Sequence, residues 1–287
     1  FNRTVSANLG MSYSVANVLL EAGPEAISRW LPFELSRHEV RDRLRNKMIR
    51  PTSIPQTKED LWLEQAVCRE ALRLSLDHHK SLAVGLSGNT QQRSIGDVFS
   101  QKSSKQELLD PMTLDLVIGS GGVLSHAPKR LGAALMMLDG FGLQGFTEIA
   151  VDSIFMMPHL GVLASVHPEA AEEIFVEDCL IRICHSIVPI FRKKRTNGSP
   201  IATVKLAGRE ETIVFGSVKH ISVDPGKEHD LLVTPHAQDI NCGAGAGAEF
   251  RKTFISGTEG IILDGRNRPV DSFTCSGQAK IFEELGL

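Results

Sequence analysis

The residues best suited to chemistry lie in one glycine-rich stretch, residues 119–125, with the sequence Gly-Ser-Gly-Gly-Val-Leu-Ser. Its three glycines permit positive φ angles and let another molecule approach the backbone without a Cβ in the way. The apolar run Leu114–Ile118 before it predicts a strand covered on both faces, and a leucine repeat after Pro128 predicts a helix. Ligands bind where strand meets helix in open α/β sheets, so the stretch is a candidate site; a tight turn without a ligand is the alternative.

Two common phosphate-binding loops do not fit this stretch. A P-loop needs Gly-x-x-x-x-Gly-Lys-Ser/Thr, and Lys129 is out of place for it. The Rossmann fingerprint needs a third glycine where Leu124 stands. Ser125 is followed by a histidine but has no Gly-x-Ser-x-Gly elbow around it, and core packing accounts better for Cys179 and His185. The sequence therefore predicts no catalytic residue.

The sequence gives little support for a metal site or for an anion site. His78 and His79 point in different directions on a helix and have no carboxylate or thiol nearby, so no metal site is predicted. The five cysteines contain no Cys-x-x-Cys pair, which indicates reduced thiols. Residues 241–247, Asn-Cys-Gly-Ala-Gly-Ala-Gly, could form an anion-binding nest of N–H groups, but a flexible connecting loop is favoured.

A family resemblance adds to this reading. Val117–Ser125 looks like the adenosine-contacting motif of the actin, Hsp70 and sugar-kinase ATPase superfamily. Together with Asp152–Gly161 and Pro168–Ala171, it resembles the glutamate-mutase-associated MutL (GlmL) family, which shares only a name with the mismatch-repair protein. The similarity runs from Arg3 to Arg266.

The resemblance implies a function, a cofactor and a partner. Family members are encoded beside adenosylcobalamin-dependent mutases and are thought to be ATP-using chaperones that expel damaged cobalamin. The adenine and ribose of ATP are then expected against four residues of the stretch, with two more nearby: Gly119, Ser120, Gly121 and Gly122, then Val123 and Ser125.

Other features of that superfamily are not found in the sequence. Its ATPases use two aspartate-glycine phosphate loops that position Mg²⁺, and in full-length family members both would precede Thr4. The resemblance thus covers the C-terminal half of such an ATPase, and a start without methionine suggests a fragment. Asn8 also replaces an aspartate common in the family. Enzymatic activity is left uncertain, and the chain alone is expected to bind nucleotide weakly and hydrolyse none.

Helices are expected to dominate the first 80 residues. The patterns predict helices near Val15–Ala22, from Ser36 to Met48 and from Lys58 to His79, the last with Thr57 as its N-cap. Residues 83–110 are polar, and two structures are possible for them. One is a hairpin with Arg93–Phe99 as one arm, and the other is a loose insertion.

Strands are expected later in the chain. Thr147–Val151 reads as a buried strand, and Pro168 begins an apolar pattern, extending to Ile187, that reads as a helix. From Ile201 short β-rich runs alternate with turns, as in a small sandwich or barrel. The predicted fold class is α/β: half of an actin/Hsp70-like ATPase over residues 1–196, then a β domain over residues 197–287.

Composition narrows the function classes. The net charge of −3 offers no footprint for nucleic acid, and neither a membrane span nor a signal peptide is apparent, so a cytoplasmic protein is expected. Three functions remain open: the nucleotide-binding half of a mutase-reactivating ATPase, a non-catalytic module that docks on the mutase, and a small-molecule enzyme using the glycine turn. The β domain either contacts the mutase or only caps the α/β core, and homo-oligomers are left open.

Overall fold

The computed structural model describes residues 3–83, 109–270 and 275–287. The helices are α1 Val15–Ala22, α2 Pro24–Ser28, α3 Arg37–Ile49, α4 Lys58–Ala83, α5 Gly122–Ser125, α6 Arg130–Gly140, α7 Met157–Leu163, α8 Pro168–Ile174 and α9 Cys275–Glu284. The strands are β1 Leu116–Gly119, β2 Gly145–Asp152, β3 Leu180–Val188, β4 Ile190–Phe191, β5 Pro200–Leu206, β6 Arg209–Val214, β7 Val218–Ile221, β8 Glu228–Pro235, β9 Ile240–Asn241, β10 Phe250–Ile255 and β11 Ile261–Asp264. The fold is therefore mixed α/β, as the sequence predicts.

A five-stranded mixed sheet forms the centre of the molecule, in the order β1-β2-β3-β11-β7. β1 runs parallel to β2 and β3 runs parallel to β11, while the β2–β3 and β11–β7 pairs are antiparallel. Four later strands make an antiparallel sheet in the order β10-β8-β5-β6.

The central sheet is covered on both faces. Ile262 of β11 belongs to an apolar cluster with α6 and α9, whereas its neighbours Ile261 and Leu263 belong to a cluster with the four-stranded sheet. Because side chains alternate along a strand, this division places helices on one face and the second sheet on the other. A third cluster holds α1 to α4 together.

The predicted N-terminal helices are confirmed, and their caps explain where they begin. Ser36 and Glu39 form a capping box at α3, since each side chain bonds the other residue's backbone N–H. At α4 the Thr57 hydroxyl accepts from the Asp60 N–H at 3.1 Å, as expected. α4 continues four residues beyond its predicted end at His79.

The strand and helix predicted around the glycine turn are confirmed as β1 and α6. The prediction that this strand is covered on both faces is wrong, because its side chains are only partly buried; among the described strands, β1 pairs with β2 alone and lies at one end of the sheet order. Leu116 is accordingly 39% exposed, and Val117 and Ile118 are only half-buried. The short helix α5 was not expected.

The helix predicted from Pro168 to Ile187 is wrong beyond Ile174. After α8 comes a π-helical turn, Phe175–Cys179, and then β3. The Leu, Ile, Cys and Val side chains of β3 occupy the middle of the central sheet, between β2 and β11. Burial on both faces places apolar residues at both odd and even positions of β3, a pattern that periodicity alone does not distinguish from a buried helix.

The boundary predicted near residue 196 does not separate the two sheets. β5, β6, β8 and β10 do form a sheet of their own, but β7 and β11 return to the central sheet and α9 packs against β7. β6 and β7 are separated by a turn, with Gly216 at φ +83°. Residues after 196 therefore complete the α/β core as well as the second sheet.

Two further predictions concern a hairpin and membrane-spanning segments. The predicted hairpin arm, Arg93–Phe99, lies outside the described residues. Within residues 3–83, 109–270 and 275–287, no helix combines the length and the apolar character that crossing a membrane would require.

Candidate functional site

The glycine turn joins β1 to α5, and its three glycines serve different purposes. A Cβ on Gly119 would lie 2.5 Å from the Met137 sulfur and 2.9 Å from a Leu124 methyl carbon, so any side chain there would displace one or both. Gly121 has φ +116°, a conformation that strains any other residue. A Cβ on Gly122 would meet no atom within 4 Å. A Cβ on Gly121 would also meet no atom within 4 Å, so both Gly121 and Gly122 leave space that a ligand could fill.

Asp152, at the end of β2, holds the glycine turn in place through hydrogen bonds. Its buried carboxylate accepts hydrogen bonds from the Ser120 hydroxyl at 3.1 Å and from the N–H groups of Met156 and Met157 at 3.0 and 2.9 Å. The Ser125 hydroxyl donates to the Asp152 carbonyl at 2.5 Å. These bonds join the turn to the segment after β2, so the two strand ends hold a fixed arrangement.

The protonation state of Asp152 is set by these partners. Burial raises the pKa of the carboxyl, but the hydrogen bonds from Met157, Met156 and Ser120 outweigh it and leave the pKa below its usual value. Asp152 is therefore a carboxylate at neutral pH. With both oxygens engaged, it positions the turn and is not available as a general base.

A cleft of about 880 Å³ opens beside the turn. One wall is a face of α4 that includes Leu61, Cys68 and Leu72, and the others are residues 9–12 and residues 51–58. Its volume is typical of a small-molecule site, and its lining is mostly apolar. We call this space the glycine-turn cleft.

The predicted site residues divide between the cleft and the interior. Ser120, Gly121, Gly122 and Val123 line the cleft. Gly119 is buried against Met137, and Ser125 is buried with its hydroxyl bonded to Asp152. Four of the six residues could thus touch a ligand directly, and the other two shape the turn from behind.

The cleft suits a nucleoside better than a metal ion. Backbone groups, hydroxyls and apolar side chains surround it, and space is free above Gly122. Among its described lining residues, Glu64 is the sole carboxylate, and it forms an ion pair with Lys47. Burial raises the pKa of the Cys68 thiol to about 12, so this cysteine is an inert part of the wall. The residues present therefore do not fit Mg²⁺, which prefers free carboxylates and water.

The N-terminal segment contributes to the same cleft. Leu9, Gly10, Met11 and Ser12 line it, whereas Asn8 is exposed and its carbonyl accepts from the Asn17 amide at 3.2 Å. Asn8 therefore lies just before the cleft wall and brings no charge to it.

The remaining sequence candidates are placed apart from the cleft or are already engaged. His185 lies on β3, stacked on Phe146 with ring centroids 5.0 Å apart, while Cys179 ends the π-helical turn. The His79 ring nitrogen is 2.7 Å from the Thr4 hydroxyl. Among the residues that the structure describes, no three His, Cys, Asp or Glu side chains are arranged to hold a metal ion.

The glycine-rich run after β9 is organised around Asn241. Its side-chain oxygen accepts the N–H groups of Gly243 and Gly245 at 2.9 and 3.0 Å, and Gly247 donates to Ile240 at 2.7 Å. These donors already have acceptors, so the anion nest considered from the sequence is not formed. The run is a connecting loop, as favoured, although it is ordered by its own asparagine.

A buried ionic network is the feature that the sequence did not predict. Asp139 of α6 accepts from Arg69 of α4 at 2.8 Å and from Arg266 at 2.7 Å. Asp264 binds Arg266 at 2.8 Å and Arg268 at 2.7 Å. All five side chains are at most 3% exposed, and we call them the Arg69 cluster. The one sequence signal is Asp264-Gly-Arg-Asn-Arg268, directly after an apolar run.

Comparison with known proteins gives one match. A family model described as MutL protein matches residues 1–179, more than half of the 287-residue chain. Neither a curated protein nor a solved structure matches. The matched region contains α4, the glycine turn and Asp152, and so includes every wall of the glycine-turn cleft.

Proposed function

The chain belongs to the MutL family, that of the glutamate-mutase-associated (GlmL) proteins, and we propose that it forms the nucleoside-binding part of an ATP-dependent reactivating chaperone for an adenosylcobalamin-dependent mutase. The observation that carries the proposal is the glycine-turn cleft. A stretch that resembles the adenosine-contacting motif of the ATPase superfamily lies along a cleft of suitable volume, with free space above Gly121 and Gly122.

In this proposal the adenine and ribose of ATP lie in the glycine-turn cleft. Ser120, Gly121, Gly122 and Val123 contact them, while Gly119 and Ser125 maintain the shape of the turn. Apolar side chains of α4 cover the base, and backbone groups of the turn give the orientation. When bound, ATP would supply a phosphate-transfer potential, but none of the residues described here acts on its phosphates.

The actin-like fold belongs to the same proposal. β1 and β2 are parallel, end at the proposed site and leave one edge of β1 unpaired among the described strands. An exposed strand edge can accept a further strand. We place strands that carry the two phosphate loops against β1, from this chain's own protein or from another chain.

A non-catalytic docking module is the second candidate, and one observation favours it. The only carboxylate among the described cleft-lining residues, Glu64, is paired with Lys47, so these residues offer no Mg²⁺ ligand. The chain described here would then bind the mutase and a nucleotide without turnover. Steady hydrolysis of ATP by the purified chain would exclude this candidate.

The nucleoside site is tested with two leucine substitutions. Gly122→Leu projects a side chain into the glycine-turn cleft, and we expect adenosine and ATP to bind about tenfold or more weakly by calorimetry. Gly161→Leu on α7 is the matched control, because a Cβ there also meets no atom within 4 Å. Equal nucleotide affinity in the two variants would contradict the proposed site. Failure of the unaltered chain to bind either ligand would also contradict it and would leave the small-molecule enzyme.

The mutase contact is proposed at the four-stranded sheet. Its outer strand β10 has a free edge among the described strands and carries Ile255, which is 62% exposed. Removing residues 197–287 would also remove β7 and β11 from the central sheet, so a point substitution is the cleaner test. Ile255→Lys should reduce recovery of an adenosylcobalamin-dependent mutase in a pull-down. Leu20→Lys, at an 82% exposed position on α1, should not; equal losses would move the contact elsewhere.

A further inference from the structure

Residues 168–179, which comprise α8 and the π-helical turn after it, have an acidic and partly apolar surface. They carry five carboxylates and neither lysine nor arginine: Glu169, Glu172, Glu173, Glu177 and Asp178. All five are exposed, and none forms an ion pair with another residue that the structure describes. Val176, in the same segment, is 46% exposed. We call residues 168–179 the acidic segment.

Helix α3 has the opposite charge. It contains five arginine and lysine residues but only two carboxylates. Arg43 and Lys47 turn toward α4 and form ion pairs with its carboxylates. Arg45, by contrast, is exposed and has no carboxylate partner in the part of the chain that the structure describes. The outer face of α3 therefore carries positive charge that is not compensated by a neighbour.

An exposed apolar side chain follows the charge on both surfaces. On α3, Ile49 lies one turn after Arg45 and is 71% exposed. In the acidic segment, Val176 lies one turn after Glu172 and Glu173. The charged and apolar groups are thus about 5–6 Å apart along each helix axis. Two such helices laid side by side in the same direction therefore place the arginine against the carboxylates and the isoleucine against the valine.

We propose that α3 of one copy of this chain binds the acidic segment of a second copy. A second copy is the occupant because it supplies both halves of the match in charge and spacing. Opposite charges bring the two surfaces together, and the apolar pair is buried where they meet. Because the contact joins two different surfaces, it closes a dimer only where both ends pair at once, and otherwise it extends into larger assemblies.

Charge reversal on α3 tests the contact. Sedimentation velocity of the unaltered chain at up to about 100 μM should show self-association that weakens in about 0.5 M NaCl. Arg45→Glu places a carboxylate against the acidic segment, and it should weaken self-association about tenfold or more. Lys280→Glu makes the same change of charge at an exposed position on α9, and it should leave self-association unchanged.

A mixture of two variants separates the contact from a loss of folding. Glu172→Arg combined with Glu173→Arg should also suppress self-association, because two cations then face Arg45. Mixing this double variant with Arg45→Glu should restore association between the two proteins. In the mixture the reversed α3 meets the reversed acidic segment, and the unaltered α3 meets the unaltered one. Misfolded variants would not regain binding in this way.

The apolar part of the contact has its own variant. Ile49→Ala should weaken self-association about threefold by removing buried area, whereas Leu20→Ala, at an 82% exposed position on α1, should not. A chain that stays monomeric throughout would overturn the proposal and leave both surfaces to other partners. Self-association of Arg45→Glu equal to that of the parent, or a mixture that binds no better than its separate components, would also overturn it.

Discussion

Helix α4 has two faces of different chemical character, one apolar and one charged. The face containing Leu61, Cys68 and Leu72 is an apolar wall of the glycine-turn cleft. The face containing Arg69 and Arg73 takes part in buried and half-buried ion pairs. An apolar wall adapts to a flat neutral ligand, whereas a buried ion pair tolerates no loss of either partner. The comparison predicts that loss of a charged partner costs more stability than removal of a partly exposed polar group on the cleft face.

The largest expected effect is on the charged face. Asp139→Asn would leave Arg69 and Arg266 without their shared carboxylate, and we expect a loss of about 3–5 kcal/mol in the free energy of unfolding. Ser75→Ala on the cleft face should change stability by less than about 0.5 kcal/mol. Urea denaturation measures the free energy of unfolding of both variants. A similar loss in the two would contradict the predicted difference between the faces of α4.

The sequence alone could predict helix α4 and the glycine turn, but neither their meeting at the cleft nor the charged face. Apolar residues at helical spacing, Leu63, Val67, Ala71 and Leu74, predict that one side of α4 is buried, and they pack mainly against the other N-terminal helices. Arg69 has the pattern of an ordinary helix residue, because its partner Asp139 is 70 positions away and Arg266, which shares that carboxylate, is 197 positions away. Pairings at that separation depend on how β11 returns to the central sheet, which local patterns do not specify. β11 follows the strands of the second sheet but lies in the central sheet. The change from helical to alternating pattern near residue 196 is therefore not a boundary between the two sheets.

The next largest effect depends on pH and arises outside both faces, at His185. Burial, with Arg182 and Lys252 nearby, lowers the pKa of this histidine to about 4, whereas the unfolded chain titrates at its ordinary value. The unfolded state therefore binds more protons between these values, and stability falls as the pH drops. We expect about 2 kcal/mol of loss between pH 7 and pH 5.

His185→Phe should remove most of this pH dependence, because the ring already packs among Phe146 and Phe254. The Arg69 cluster should not contribute in this range. Burial raises the pKa of Asp264, but Arg266 and Arg268 outweigh it and hold that pKa well below its usual value, so the carboxylate stays charged. Denaturation of the variant at pH 7 and 5 tests this, and an unchanged slope would point to a different group.

A smaller effect distinguishes two glycines of the turn. Gly119→Ala should destabilise the fold by about 1–2 kcal/mol, since Met137 and Leu124 must move to admit the methyl group. Gly122→Ala should be within about 0.5 kcal/mol of the parent, because its surroundings are open. Thermal denaturation of the pair checks this order, and equal stability would mean that the turn is not packed as described.

The smallest effect is expected at Ser120. Ser120→Ala removes one hydrogen bond from the Asp152 carboxylate and should cost about 1 kcal/mol. The pKa of Asp152 should rise at the same time, because that bond stabilises the charged form. Carbon-detected NMR titration of the carboxyl group measures the shift. A fall in that pKa would show that Ser120 does not donate to Asp152.

The central claim, that the glycine-turn cleft binds the nucleoside of ATP, is tested most directly by NMR with ¹⁵N-glycine labelling. Adding ATP should shift the amide resonances of Gly121 and Gly122, which line the cleft, and leave those of Gly161 and Gly208 in place. Saturable ATP binding that leaves both Gly121 and Gly122 unmoved would contradict the account.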